Sequence, residues 1–208
     1  NPLNLARDLS NNWSVSPVQA TNDLPLPSFT GGWVGFAGYD TARFFEMESL
    51  PFSSAPKDDR ELPDLHFALY KTVVVFDHVA KVVHVIHNTT VNDETTNAWK
   101  RASEELDRVI DLLQRDVENI PVGTIAMDLG SPPPKPTTSN TSREQFESSV
   151  LKCKEYIAAG DAFQIVISQR FEHRSTVDPF EIYRALRVVN PSPYMIYLQA
   201  EDCILVAS

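Results

Sequence analysis

Two stretches hold residue types that could do chemistry. The first is "AFQIVISQRF" (162–171), with Gln164 and Arg170 on one face of a period-two pattern. A glutamine amide donates and accepts without carrying charge. It can orient a neutral nucleophile such as ammonia, but it cannot supply the base that water would need. Arg170 can hold a carboxylate through two parallel N–H bonds. A polar sheet face open to solvent explains the same residues equally well. The second stretch is "NPSPYMIYL" (190–198). Pro191 and Pro193 fix φ and lack an N–H. Their carbonyls stay available as acceptors, which suits a ligand ammonium group. Tyr194 adds a flat ring and Met195 a polarisable thioether, both suited to an aromatic ligand. A plain helix stop before a core strand is the competing reading.

Other reactive constellations are missing. There is no Gly-x-Ser-x-Gly, no His-Glu-x-x-His, no useful Cys/His pair and no carboxylate pair beside a pocket signal. Four of the seven glycines fall in "GGWVGFAGYD" (31–40). This stretch lacks the Lys-Ser/Thr of a phosphate loop, and no helical pattern follows it. It reads as a closely packed strand in which backbones approach each other. His78, His84 and His87 lie near one hairpin, but alternation turns His87 away from His84, so they do not converge on a metal. Cys153 and Cys203 fit no metal or redox spacing and read as reduced core thiols. The sequons at Asn12, Asn88 and Asn140 read as chance occurrences, since nothing else indicates secretion.

The elements that would position the two stretches follow from pattern. Residues 1–30 are polar and weakly periodic. Asp40 can cap a short helix reaching Phe45. "FALYKTVVVFDH" (67–78) and "KVVHVIHN" (81–88) read as an antiparallel hairpin. Over 95–117, Trp99, Ala102, Leu106, Ile110 and Leu113 form one helical stripe. "SPPPKPTTSN" (131–140) is proline-rich and extended, and marks a boundary. The expected organisation is an N-terminal region over 1–130, a linker over 131–141 and the start of a second domain over 142–208.

In that second part, Ser142 and Gln145 make a capping box. Phe146, Val150, Cys153 and Ile157 line a helix face, and Gly160 stops the helix. A strand is expected over 162–171, with Phe163, Ile165 and Ile167 inward. Asp178 caps the next helix, Pro179 takes its first position and Glu181 completes the box. "YMIYLQA" and "CILVAS" make a final hairpin. The order helix, strand, helix, hairpin, with long antiparallel pairs, indicates an α+β fold.

The chain has 208 residues with a net charge of −10, which disfavours nucleic acid as a partner. No apolar run reaches the ~20 residues of a membrane helix. An opening Asn and an apolar finish, "CILVAS", lead to the expectation of a piece of a longer chain.

"GDAFQIVISQRF" and "DPFEIYRALRVVNPSPYMIYLQAEDCILVAS" resemble the large (α, component I) subunit of anthranilate synthases, within the chorismate-utilising enzymes. "GGWVGFAGYDTARFFE" and "DDRELPDLHFALYKTVVVFDHVAKVVHVIHN" resemble the N-terminal half of that family, in its plant-like form. The resemblance spans essentially the whole chain. It implies an antiparallel β-sandwich flanked by helices, here incomplete. It implies conversion of chorismate and glutamine-derived ammonia to anthranilate and pyruvate, with Mg²⁺, a glutamine amidotransferase β subunit, and feedback inhibition by L-tryptophan. It also implies the plastid stroma if the source is a plant, and the cytoplasm otherwise.

Carried over by residue, the family's tryptophan-contacting Pro-Tyr-Met falls on Pro193, Tyr194 and Met195, with Asn190 and Ser192 shaping the turn. Gln164 falls where water-using relatives carry a lysine base, and so is a candidate catalytic residue that orients ammonia. The family's upstream Leu-Leu-Glu-Ser segment, its catalytic histidine and its Mg²⁺-binding glutamates do not occur in these residues. The metal ligands are expected beyond Ser208. The alternatives are an aminodeoxychorismate synthase large subunit and a non-catalytic amino-acid-binding module.

Overall fold

The computed structural model describes residues 2–16, 25–91, 95–115, 123, 125–128, 130–132 and 138–208. The chain forms two units. One comprises Asn1–Val122 with Leu198–Leu205, the other Gly123–Tyr197 with Val206–Ser208.

In the first unit, a helix α1 (Leu3–Ser10) forms where the polar, weakly periodic sequence announces none. Its end is tied by tertiary contacts. Trp33 Nε1 donates to Ser10 Oγ at 2.9 Å, and Trp13 stacks on Trp33 with centroids 6.2 Å apart. The glycine-rich stretch forms β1 (Gly32–Ala37), antiparallel to β2 (Leu65–Tyr70), with Gly32 opposite Tyr70 and Ala37 opposite Leu65. Gly35 lies so close to β2 that a Cβ would run into the His66 carbonyl. The glycine is therefore required by backbone approach.

The run 67–78, expected as one strand, is two. Lys71 separates β2 from β3 (Thr72–Asp77), and β3 pairs antiparallel with β4 (Val82–His87). A continuous β-branched pattern reports strand propensity but not a change of partner, so the break at Lys71 is invisible to it. Asp77 Oδ1 accepts from the N–H groups of Val79 and Ala80, both at 2.8 Å, and shapes the turn.

Asp40 is not a helix cap. A 3₁₀ segment (Tyr39–Phe44) follows Gly38, which caps it without a side chain, and Asp40 instead holds Arg43 Nε at 2.6 Å. The long helix α2 (Thr95–Gln114) packs against β4, but its buried face is rotated from the expected stripe. Ala98, Ala102 and Val109 are buried, whereas Trp99 is 77% exposed. The small side chains let the helix approach the sheet closely. Residues 116 and 117 of the expected helix lie outside the described residues.

In the second unit, β5 (Thr138–Ser139) pairs antiparallel with β6 (Phe171–Glu172). Between them runs α3 (Arg143–Ala159), which has the expected Ser142/Gln145 capping box and stops at Gly160 in the left-handed region, φ 84°. Its apolar face is largely uncovered among the described residues. Phe146 and Cys153 are half-buried, while Val150, Leu151 and Ile157 are exposed.

Of the strand expected over 162–171, only Phe171 lies in a strand, as the first residue of β6. Gln164–Arg170 are outside any strand, and Phe163, expected inward, is 93% exposed. Side chains take the place of a ladder there. Gln169 Nε2 donates to Ser139 Oγ and to the Thr141 carbonyl, and Arg170 N–H donates to Asn140 Oδ1. Helix α4 (Pro179–Val189) starts at Asp178, whose carboxylate accepts from Phe180 N–H at 2.8 Å; Glu181, expected to complete a capping box, instead pairs with Arg184 one turn on.

The strands β7 (Ile196–Gln199) and β8 (Ile204–Ala207) make the final pair. Their four-residue connection allows only antiparallel pairing. Its tip belongs to the first unit and its base to the second. The described strands form four two-stranded sheets within a mixed helix-and-strand fold.

The three sequon asparagines all have side chains engaged with the chain. Asn12 and Asn88 donate to backbone carbonyls, and Asn140 accepts from Arg170.

Candidate functional site

The double-proline turn lies between two fixed elements. On one side α4 ends at Asn190, which leaves the helical region at φ −140°, ψ 71° while its N–H still donates to the Leu186 carbonyl at 2.8 Å. Pro191 lacks the N–H that another helical turn would require. On the other side β7 begins at Ile196. An aromatic group joins the two flanks. Phe180 and Tyr183 of α4 both meet Tyr197 of β7 edge-on, at centroid separations of 5.2 and 5.8 Å. Each such pair adds about 0.5–1.5 kcal/mol beyond its buried area.

Within the turn, Ser192 is half-buried and its hydroxyl accepts from the Tyr194 N–H at 3.2 Å. This local bond sets the bend that carries Pro193 and Tyr194. Pro191 and Pro193 are exposed, and among the described residues their carbonyls accept no hydrogen bond. Tyr194 is 83% exposed and Met195 is half-buried beside it. The turn thus presents free acceptors, an open ring and a partly sheltered thioether within a short span. That set can take an ammonium and an aromatic side chain. Asn190, Ser192, Pro193, Tyr194 and Met195 all fall in the one bend between α4 and β7.

The other candidate surface is not assembled as expected. Gln164 is exposed on irregular backbone, so no sheet face holds it. Arg170 Nε lies 2.8 Å from Glu172 Oε1, so its charge already has an internal carboxylate partner. The alternating pattern that put Gln164 and Arg170 on one surface assumed a ladder over 162–171, and that ladder does not form. An open hollow over the first turns of α3, lined by Thr141, Glu144, Gln145, Ser148 and Ser149, includes neither Gln164 nor the turn.

Sequence reasoning missed the side-chain frame of the turn. Tyr197 reads as an ordinary strand residue, and Ser208 drew no attention. Ser208 Oγ donates to the Asn190 carbonyl at 2.7 Å and accepts from Asn190 Nδ2 at 3.1 Å. A lone serine after a strand carries no signal of such a partner.

Among the described residues no group of three or more His, Cys, Asp or Glu side chains could hold a metal. His84 and His87 sit on β4, and His87 Nδ1 is 2.8 Å from Thr72 Oγ1. No described helix is long and apolar enough to cross a membrane.

The chain belongs to the chorismate-binding enzyme family, whose model matches residues 4–208. Among its relatives are large subunits of anthranilate synthases. The chain is 48% identical to the chloroplastic anthranilate synthase alpha subunit 1 of Arabidopsis thaliana, over 100% of this chain and 35% of that protein. It is 46% identical to the corresponding protein of Oryza sativa subsp. japonica, over 100% and 36%. The solved anthranilate synthase component I from Streptococcus pneumoniae TIGR4 superposes with a TM-score of 0.61 at 30% identity, over 95% of this chain and 40% of that one. The chain spans about a third of the length of the curated relatives it matches.

Proposed function

We propose that these residues belong to the large subunit of an anthranilate synthase. That enzyme converts chorismate and glutamine-derived ammonia to anthranilate and pyruvate, the first step of tryptophan biosynthesis, and is a lyase. The observation that carries this reading is 44–48% identity over the whole of this chain to plant proteins named as anthranilate synthase alpha subunits. The name "alpha subunit" supports a partner, here a glutaminase β subunit. The word "chloroplastic" in the same names supports a plastid location for a plant source. The four two-stranded pairs are read as parts of larger antiparallel sheets, forming the sandwich, that the remaining two-thirds of such a subunit completes. The boundary is read at 131–141, with residues 1–130 before it and the chorismate-binding domain starting at 142.

The bend Asn190–Met195 is read as the L-tryptophan effector site. The proline carbonyls would receive the ammonium, and Tyr194 and Met195 would flank the indole, with Asn190 and Ser192 holding the bend. A coupling of about 1–3 kcal/mol to the active arrangement would give strong feedback. Gln164 is read as a residue that orients ammonia, and its exposure here leaves it to be enclosed by other parts of the subunit. Mg²⁺ is assigned ligands outside these residues.

The test is anthranilate fluorescence with the full-length subunit, chorismate, ammonium and Mg²⁺. The full-length subunit should produce anthranilate, and L-tryptophan should suppress it. The 208-residue chain alone should produce none. Formation of 4-amino-4-deoxychorismate in place of anthranilate would contradict the reading, as would anthranilate production by the isolated chain.

A further inference from the structure

The bend has a closure that none of its proposed ligand contacts explains. The Ala200 N–H donates to the Cys203 carbonyl at 2.9 Å, which sets the register of the β7–β8 hairpin. Continued to the base of the hairpin, that register places Ser208 across from Met195. The Ser208 hydroxyl turns from there to Asn190. It donates to the Asn190 carbonyl at 2.7 Å and accepts from Asn190 Nδ2 at 3.1 Å, which uses its one proton and one lone pair. Residues 190–195 are therefore a loop shut at its neck. One side of the neck is Asn190, the residue that caps the end of α4; the other is the residue that follows β8.

We propose that Ser208 is a positioning residue for the effector bend, and that its two-bond clasp on Asn190 links the shape of the bend to the backbone after β8. The proposal rests on reading the bend as a tryptophan site. With the clasp closed, the bend has one preorganised shape, and a ligand seated in it bears on Ser208 through Asn190. With the clasp open, Asn190 can rotate, and the bend must be reordered each time a ligand binds. Asn190 is well placed for this coupling. Its N–H is held by Leu186, and both its carbonyl and its side-chain amide meet a single hydroxyl.

The experiment uses the full-length subunit with its glutaminase partner and reads the L-tryptophan concentration that halves each variant's own uninhibited rate. Ser208→Ala should raise that concentration about tenfold, the effect of losing roughly one net hydrogen bond's worth of preorganisation. Ser208→Thr, which keeps the hydroxyl, should stay within about twofold of the parent. If the alanine variant does not fold, the nearly isosteric Ser208→Cys serves, with an expected rise of about threefold. A purely structural role would lower the melting temperature without moving the half-inhibiting concentration. Met195→Ala separates the two layers of the argument. If Met195→Ala loses inhibition and the Ser208 variants keep parental sensitivity, the clasp is wrong and the effector site stands. If the parent is not inhibited, or Met195→Ala is inhibited like the parent, the effector reading falls and the clasp proposal falls with it.

Discussion

Helices α2 and α3 are held in opposite ways. α2 packs on β4 through Ala98, Ala102 and Val109, and owes its place to burial. α3 has no buried residue, yet both its ends are closed: Ser142 and Gln145 exchange bonds at the start, and Gly160 turns left-handed at the finish. One helix is fixed by tertiary packing and the other by its own termini. Most helical stability in proteins comes from packing an amphipathic face. A well-capped helix with Val150, Leu151 and Ile157 in the open is thus a helix whose packing partners are not among the described residues. This accords with a chain that spans about a third of its relatives.

The sharpest way to break the contrast is a charge on the packed helix. Ala102→Asp would bury a carboxylate without a partner against β4, at a cost of about 3–5 kcal/mol. Denaturant titration of the full-length subunit, followed by circular dichroism, should show early loss of structure. A midpoint unchanged from the parent would mean that α2 is not held by burial.

The capped helix should answer to smaller changes at its end. Ser142→Ala removes the side chain that accepts from Gln145 N–H and should cost about 1 kcal/mol. Ser142→Asp, which keeps an acceptor and adds a negative charge at a helix N-terminus, should recover most of the loss. The same denaturant titration checks both.

A weaker effect concerns pH at the hairpin on which α2 rests. The N–H groups of Ala80 and Val79 hold the Asp77 carboxyl below the usual aspartate value. A carboxyl lowered by folding stabilises the protein above its unfolded pKa of about 3.9, and that contribution disappears as pH falls through the folded value. Hydrogen-exchange protection of Val79 and Ala80 should therefore drop on acidification. Asp77→Asn should flatten that dependence. The group is open to solvent, so the change should be small.

How much of this was legible depended on how local its cause was. The cap at Ser142, the stop at Gly160 and the Asp178-Pro179 start are written in a few neighbouring residues, and each forms as the sequence predicts. The hairpin β3–β4 was legible too. What failed was pairing at a distance. The pattern over 162–171 is as strand-like as any in the chain, but within it only Phe171 finds a ladder partner, in Ser139. Trp99 fitted a buried stripe by size and spacing, yet alanines occupy the face against β4 and Trp99 points out. Helix α1 had no local signal, because Trp33, far along the chain, holds its last residue.

The candidate site divides along the same line. The bend at Asn190–Met195 was legible, since proline acts on its own backbone. Its frame was not, because Tyr197 and Ser208 reach it through space. Gln164 was placed on a sheet face that is absent among the described residues.

The most direct test of the account is calorimetric titration of L-tryptophan into the full-length subunit, parent against Met195→Ala. The account predicts one saturable site per subunit in the parent and at least tenfold weaker binding in the variant. Equal affinity in the two would show that the bend after α4 does not hold the effector.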